Sequence, residues 1–354
     1  MTAEATVSRV EHLEDGSEVA TYLLGDDSGI RVEVMSYGGI IRSLVVPDAR
    51  GAERSVVLAL DSLADYTTVS PYFGALIGRY ANRIDRGHFE LDGTSYDVTV
   101  NDGTGSLHGG RNGFDRKVWR VEDAGPSALT LSYSSPSGEE GYPGRLEVRA
   151  TYSVHANRTL RIEYTATTDA PTPVSLTNHS YFNLAGEGAG TALQHRAQIA
   201  ADYFLPVSPE LIPTGERRAV EGTEMDFRSP HTIEDRIRNA SEQLRLSKGY
   251  DHNWVLSRER LDESGLAFAA RFEEPESGRS LEIWTTEPVA DFYTGNFLDG
   301  TLAGPAGKAY RQGDAFAFEP ERPSNGPNLP DAEATILRPG QSYRSATEYR
   351  FGVV

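Results

Sequence analysis

Apolar and polar residues alternate with a period of two through most of this chain. The cleanest instance is Leu146, Val148, Ala150, Tyr152 and Val154, interleaved with Arg145, Glu147, Arg149, Thr151 and Ser153. Leu160, Ile162, Tyr164 and Ala166 repeat it after a turn at Ala156-Asn157. Successive side chains of a strand point to opposite faces, so the pattern predicts strands with one face buried and one wet. Further runs read as strands are Val19–Leu24, Ile30–Met35, Ile40–Val46, Leu266–Phe272, Leu281–Thr285, Val289–Tyr293, Ala315–Phe318 and Thr347–Phe351. Gly25-Asp26-Asp27 and Tyr37-Gly38-Gly39 punctuate the early runs as turns. Asp92-Gly93, which tolerates positive φ, predicts a two-residue hairpin between Gly87–Leu91 and Thr94–Val98. Only Thr232–Leu246 supports a helical reading, and Asn239-Ala240-Ser241 is expected to interrupt it.

So many strands with so few helices predict an all-β protein, a large antiparallel sandwich or a distorted barrel, and exclude a parallel sheet with crossover helices. The Gly- and Pro-rich pieces at Gly186–Gly190 and Ala303–Gly307 are loop-sized and no internal repeat is visible, so the expectation is a single domain over 1–354.

A chain of 354 residues buries roughly three quarters of its unfolded surface and needs no covalent staple. Cysteine is absent, which excludes disulfides, thiolate metal sites and a cysteine nucleophile. The first thirty residues are studded with charge and lack the apolar core of a signal peptide, and no apolar run approaches the ~20 residues of a membrane span. The expectation is a soluble, cytoplasmic protein. A formal net charge of −18 argues against a nucleic-acid or anionic-membrane partner, which would need a basic stripe. The acidic residues are scattered, as suits solubility.

Candidate chemistry centres on Thr177-Asn178-His179-Ser180-Tyr181-Phe182-Asn183-Leu184, where an imidazole able to exchange protons near neutrality stands among amides, hydroxyls and aromatic rings. Other polar clusters are Gly78-Arg79-Tyr80-Ala81-Asn82-Arg83-Ile84, Leu107-His108-Gly109-Gly110, Gly249-Tyr250-Asp251-His252-Asn253 and Phe318-Glu319-Pro320-Glu321-Arg322. Arg79 and Arg83 fit either a site or surface ion pairs, and His108 fits either a site or a turn. Glu319, read as the end of the Ala315–Phe318 run, is either a desolvated carboxylate aimed at a pocket or a solvated strand-end glutamate. His12, His88, His155, His195 and His231 are expected at the surface. No histidine pair has metal-ligand spacing, no Gly-rich phosphate loop precedes a helix, and no Gly-x-Ser-x-Gly elbow occurs. What remains is two histidines, two carboxylates, an arginine and several amides with aromatic residues between, a set that suits a sugar.

These residues are also where the chain resembles a known family, the aldose 1-epimerases or galactose mutarotases. The four clusters and the late Glu319 occur in the family's order and approximate spacing, nearly end to end. The resemblance implies a large antiparallel β-sandwich of galactose mutarotase-like (supersandwich) type, interconverting the α and β anomers of free aldohexoses such as glucose and galactose. It implies Glu319 as general base on the anomeric hydroxyl, His179 as general acid on the ring oxygen and His108 as a supporting donor. Arg79, Asn82 and Asp251 would hold sugar hydroxyls. It implies a small-molecule aldose as the partner, no cofactor or metal, and a monomer or homodimer. The chain departs from the family after the base, where Gln often stands two residues on and this chain has Glu321. Glu321, if unpaired, would raise the pKa of the base, and Arg322 beside it could cancel that effect. Two other readings stay open: a sugar-binding sandwich without catalysis, and a glycoside hydrolase using Asp251 and Glu319 as its carboxylate pair.

Overall fold

The structure, a computed structural model, describes residues 6–25 and 29–354. Its largest sheet has nine antiparallel strands, in the order Arg120–Ala124, Ala128–Ser135, Leu146–His155, Thr159–Thr168, Tyr343–Val353, Arg279–Thr285, Ala267–Glu273, Arg196–Ile199 and His231–Thr232. A five-stranded sheet follows the order Arg218–Ala219, Ala201–Leu205, Asp251–Leu256, Val289–Tyr293 and Ala317–Glu321. A second five-stranded sheet, Thr6–His12 to Glu53–Ser55, runs in simple sequence order at the N-terminal end. Of the two antiparallel architectures that the alternation allows, the sandwich is the observed one.

The period-two runs fold as they read. Leu146–His155 pairs residue for residue with Thr159–Thr168, burying Leu146, Val148, Ala150, Tyr152, Leu160, Ile162, Tyr164 and Ala166. The His88–Leu91 and Thr94–Asp97 strands form the hairpin about Asp92-Gly93, both with positive φ. The expected turn at Gly25-Asp26-Asp27 falls largely outside the described residues. The helical reading of 232–246 resolves into two short helices, Glu234–Ile237 and Glu242–Ser247, broken where expected. A third helix, Leu63–Thr68, was not expected, since six residues are too few to show a helical period. Its cap was the available signal: Ser62 Oγ accepts from the Asp65 amide at 3.1 Å and Asp65 Oδ2 accepts from the Ser62 amide at 3.2 Å.

The core lies where the nine-stranded sheet faces the strands of the Asp251–Leu256 sheet. The Phe272 ring of the first stands 5.6 Å from both Phe292 and Phe318 of the second and stacks on Phe316 at 4.2 Å. Burying each such ring stabilises the fold by roughly 1.5–3 kcal/mol. Phe292 and Phe318 sit at even positions of their strands, and the odd positions, which include Asp291, Tyr293, Glu319 and Glu321, point the other way. The sandwich thus fixes a polar face on the back of its own core.

Candidate active site

Three strands carry that face. Across them, Asn253 stands opposite Asp291, which stands opposite Glu319, while Asp251 stands opposite Tyr293 and Val289 opposite Glu321. Because strand neighbours two apart share a face, Asp251, Asn253, Asp291, Tyr293, Glu319 and Glu321 all project to one side. Ala317–Glu321 is the edge strand, which is why Pro320, with no amide hydrogen to give, is accommodated in it.

Loops close over this face to leave a cavity of about 180 Å³, lined by Tyr72, Asn82, Arg83, His108, His179, Tyr181, Asp251, Asp291, Tyr293, Phe297 and Glu319 among others. That volume suits one small ring. A larger groove of about 780 Å³ crosses the nine-stranded sheet, but no histidine lines it.

His179 follows the short strand Thr177–Asn178 and is held at both backbone ends, its amide donating to Ala75 O and its carbonyl accepting from the Gly74 amide, each at 2.9 Å. Its ring lies nearly parallel to Tyr181 at 4.8 Å and to Tyr72 at 5.9 Å. So oriented, His179 Nε2 is 3.5 Å from Glu319 Oε1. His108 meets His179 edge to face at 5.2 Å. Its Nδ1 accepts from the Asn82 amide at 3.1 Å, so the neutral ring carries its proton on Nε2. Asn82 itself adopts φ 62°, a conformation asparagine tolerates better than most residues. That backbone reversal lets Arg83 reach the cavity, where Nη2 is 3.6 Å from Asp251 Oδ2 and Nε donates to Asp102 Oδ2 at 3.2 Å.

The electrostatics are dominated by burial of acids. Burial raises Glu319 well above the ordinary carboxylate value, and Glu321, Asp291 and Asp251 push it further, against Arg83. Burial, then Asp251, raises Asp291 in the same way, and burial, then Asp291, raises Glu321. Burial alone lowers His179 to about 3, and burial with the neighbouring His179 lowers His108. Burial would lower Arg83, but Asp251 and Asp102 outweigh it and its pKa rises. Burial and the neighbouring acids thus raise the proton affinity of Glu319, while burial lowers that of His179.

Five of the six residues expected at a site from sequence, His108, His179, Glu319, Asn82 and Asp251, line this one cavity. Arg79 does not. Its guanidinium is buried behind the site, donating to Pro143 O and Gly144 O at 2.8 Å, Ser135 Oγ at 2.6 Å and Pro136 O at 3.1 Å, with its cation 5.7 Å from the Tyr142 ring. Arg83 takes the place in the cavity that the sequence reading gave to Arg79. The same run offered two arginines four residues apart, and the segment between Leu76–Ile77 and Arg83–Ile84 is not a strand, so no alternation tells which of them enters the cavity.

Other expectations are also corrected. Glu319 is not a strand end, since the strand continues to Glu321. Arg322 does not neutralise Glu321, because strand alternation turns it to the opposite face, where Nε is 3.3 Å from Glu287 Oε2. His195 is not at the surface: it is buried, and its Nε2 accepts from the Leu184 amide at 2.9 Å. His252 also faces away from the cavity, edge-on to Phe204 and Trp254. Asp291 and Tyr293 were read only as part of a strand. An acid within the apolar run Val289–Phe292 is the same signal that singled out Glu319, and applying it there would have found Asp291.

Among the described residues no group of three or more His, Cys, Asp or Glu side chains is arranged to hold a metal ion. Nor, among them, is any helix long and apolar enough to cross a membrane.

A family model described as aldose 1-epimerase matches residues 20–350. The chain is 43% identical to a galactose mutarotase of Sus scrofa over 326 residues, 92% of each chain. It is 35% identical to an aldose 1-epimerase of Escherichia coli (strain K12), covering 95% of this chain and 96% of that one. Among solved structures, an aldose epimerase homologue from C. elegans superposes with a TM-score of 0.84 at 31% identity, covering 95% of this chain and 99% of that one.

Proposed function

The chain belongs to the aldose 1-epimerase family and is an enzyme that interconverts the α and β anomers of an aldose, and from that premise we propose that Glu319 and His179 are its proton carriers. The observation that carries this reading is the 3.5 Å approach of His179 Nε2 to Glu319 Oε1, side by side in the lining of a cavity the size of one sugar ring. Mutarotation removes the proton from O1 and adds one to O5. As Glu319 carboxylate takes the O1 proton, the C1–O1 double bond forms, the C1–O5 bond breaks, and imidazolium His179 protonates O5. Rotation about C1–C2 presents the other face of the carbonyl, and the transfers run back to close the ring. The Glu319–His179 pair holds one proton throughout, first on the histidine and then on the glutamate, so both groups serve as acid and as base.

His108 Nε2–H is a further donor for O5. Arg83 and Asp251 hold hydroxyls on the far side of the ring, and the Tyr293 and Phe297 rings cover its C–H face. The substrates proposed are free hexoses such as galactose and glucose, galactose being named for the porcine relative. Asn82 contributes less directly: both hydrogens of its amide go to Asp291 Oδ2 and Glu321 Oε1, at 3.0 and 3.1 Å.

Freshly dissolved α-glucose, α-galactose, α-xylose and arabinose, followed by polarimetry or exchange NMR, are expected to equilibrate faster with enzyme, the hexoses most. Calorimetric sugar binding with no acceleration for any of the four would overturn the assignment. The pH dependence has a definite sign. Only the singly protonated Glu319–His179 pair turns over, so kcat/KM is expected to be level between two limits. It falls on the alkaline side as Glu319, held above the carboxylate range, loses the proton, and on the acid side as His179, held low, takes a second. An alkaline midpoint at the ordinary carboxylate value would contradict this.

A further inference from the structure

Asp291 and Glu321 take no proton from the sugar in the steps above, yet they are buried beside the base. Their surroundings are unusually well determined. Asn82 Oδ1 accepts from the Arg83 amide at 2.9 Å and Asn253 Oδ1 accepts from the Ser324 amide at 2.8 Å, which fixes both side-chain amides with their NH2 groups toward the acids. Each NH2 then donates one hydrogen to Asp291 Oδ2, at 3.0 and 2.9 Å, and the other to Glu321 Oε1, at 3.1 Å in both cases. Two carboxyl groups are thus clamped by the same pair of neutral amides. The opening angle of an NH2 group puts the two acceptor oxygens only ~5 Å apart. The remaining oxygens, Asp291 Oδ1 and Glu321 Oε2, are buried and accept no hydrogen bond, although the Asp291 carboxyl also lies within hydrogen-bonding reach of that of Asp251.

The charges facing this clamp do not balance two carboxylates. From the neighbouring strands come Asp251 and Glu319, and from the loops His179, His108 and Tyr80, with Tyr293 on the strand of Asp291 itself. The nearest cation, Arg83, is already shared by Asp251 and Asp102. Arg322 is turned away to Glu287, the other acid near Glu321.

We propose that Asp291 and Glu321 together keep one proton, on an unpartnered oxygen, and so present a single fixed negative charge beside Glu319. Asp291 is directly across the strand from Glu319, and a like charge there strengthens the proton affinity of the base. The two acids are positioning residues: they set the basicity of Glu319 and the alkaline limit of the enzyme. This role rests on Glu319 being the base.

Amide substitutions count the charge. If the acids share one proton, Asp291→Asn or Glu321→Gln alone removes the proton and leaves one carboxylate, so the alkaline midpoint of kcat/KM stays within a few tenths of a pH unit. The double variant removes the charge, and the midpoint is expected to fall by about one unit or more. A shift in each single variant would mean two carboxylates, and no shift in the double would mean no charge acting on Glu319; either overturns the proposal. Infrared difference spectroscopy reads the proton without activity. At neutral pH the difference spectrum between Glu319→Gln and Glu319→Gln/Glu321→Gln is expected to show the loss of one carboxylic-acid carbonyl band, the other acids that burial raises, Asp115, Glu287 and Asp251, being common to both proteins and cancelling. A difference spectrum without that loss overturns the shared proton. If instead Glu319→Gln keeps full activity, the assignment of the base fails while the band still reports on the clamp.

Discussion

Replacing Glu319 with Gln is expected to lower kcat for anomer exchange by ~10²–10⁴-fold while leaving sugar binding nearly intact. The amide keeps the size and the hydrogen-bonding reach of the side chain but cannot take the O1 proton. Ring opening is unimolecular in the sugar, so bringing reactants together contributes less here than in a two-substrate reaction, and proton transfer carries a correspondingly larger share of the acceleration. His179→Gln should lose a similar factor. The double variant should lose little beyond the worse single, because each group is useless without the other to complete the proton exchange. Saturation kinetics by polarimetry with calorimetric binding separates these effects. Single variants that each stay within a few-fold of the parent kcat would end the pairing of Glu319 with His179.

The largest effect on stability is expected at Arg79, outside the cavity. Its guanidinium serves carbonyls of Pro136, Pro143 and Gly144 and the hydroxyl of Ser135, in a place water does not reach. Burial draws its pKa down only to about 10, so it remains charged at neutrality. Arg79→Met fills the space but leaves Pro143 O, Gly144 O and the Ser135 hydroxyl without this donor, Pro136 O keeping the Glu139 amide, at ~1–3 kcal/mol for each left unsatisfied. The sum is comparable with the whole stability of a typical domain, ~5–15 kcal/mol. A melting temperature lower by ~10 °C or more, or failure to accumulate as folded protein, is therefore expected. Arg79→Lys should be milder, and whatever fraction folds should keep the parent KM, whereas Arg83→Lys should raise KM. Melting curves and KM values decide between the two arginines, and an unchanged melt in Arg79→Met would show that its hydrogen bonds matter little.

The two arginines also show what sequence could and could not reveal. Strands were legible because burial on one face writes itself as alternation, whereas His108 and Glu319 each kept a bland reading when taken alone, and it was the resemblance of the ordered motifs to a known family that gave roles to His179, Glu319, His108 and Asp251. Arg79 and Arg83 could not be told apart because the segment that carries them is irregular, outside the strands Leu76–Ile77 and Arg83–Ile84 over residues 78–82, and alternation does not apply there. Arg322 was misjudged for the opposite reason: adjacency in sequence was taken for proximity, although adjacent strand residues face apart. Asp291 was overlooked because its neighbours made an ordinary strand, and only the pairing of Val289–Tyr293 with Ala317–Glu321 shows that it stands against the base. Pairings between distant segments are set by the whole fold, and no local pattern contains them.

The alternation of the Val289–Tyr293 and Ala317–Glu321 strands has a consequence for how faithfully this molecule must assemble. Phe292 and Phe318 lie one step from Asp291 and Glu319, on opposite faces. If either strand reversed its faces by one residue, the phenylalanine would enter the cavity and the acid would enter the phenylalanine cluster between the sheets. Slippage of that kind flips every side chain at once. The core would then lose a ring and gain an unpaired acid, and such a molecule would not persist as a folded but inactive form. The core thus acts as a proofreader of the active site: a chain packed well enough to survive has, by the same contacts, its base facing the sugar.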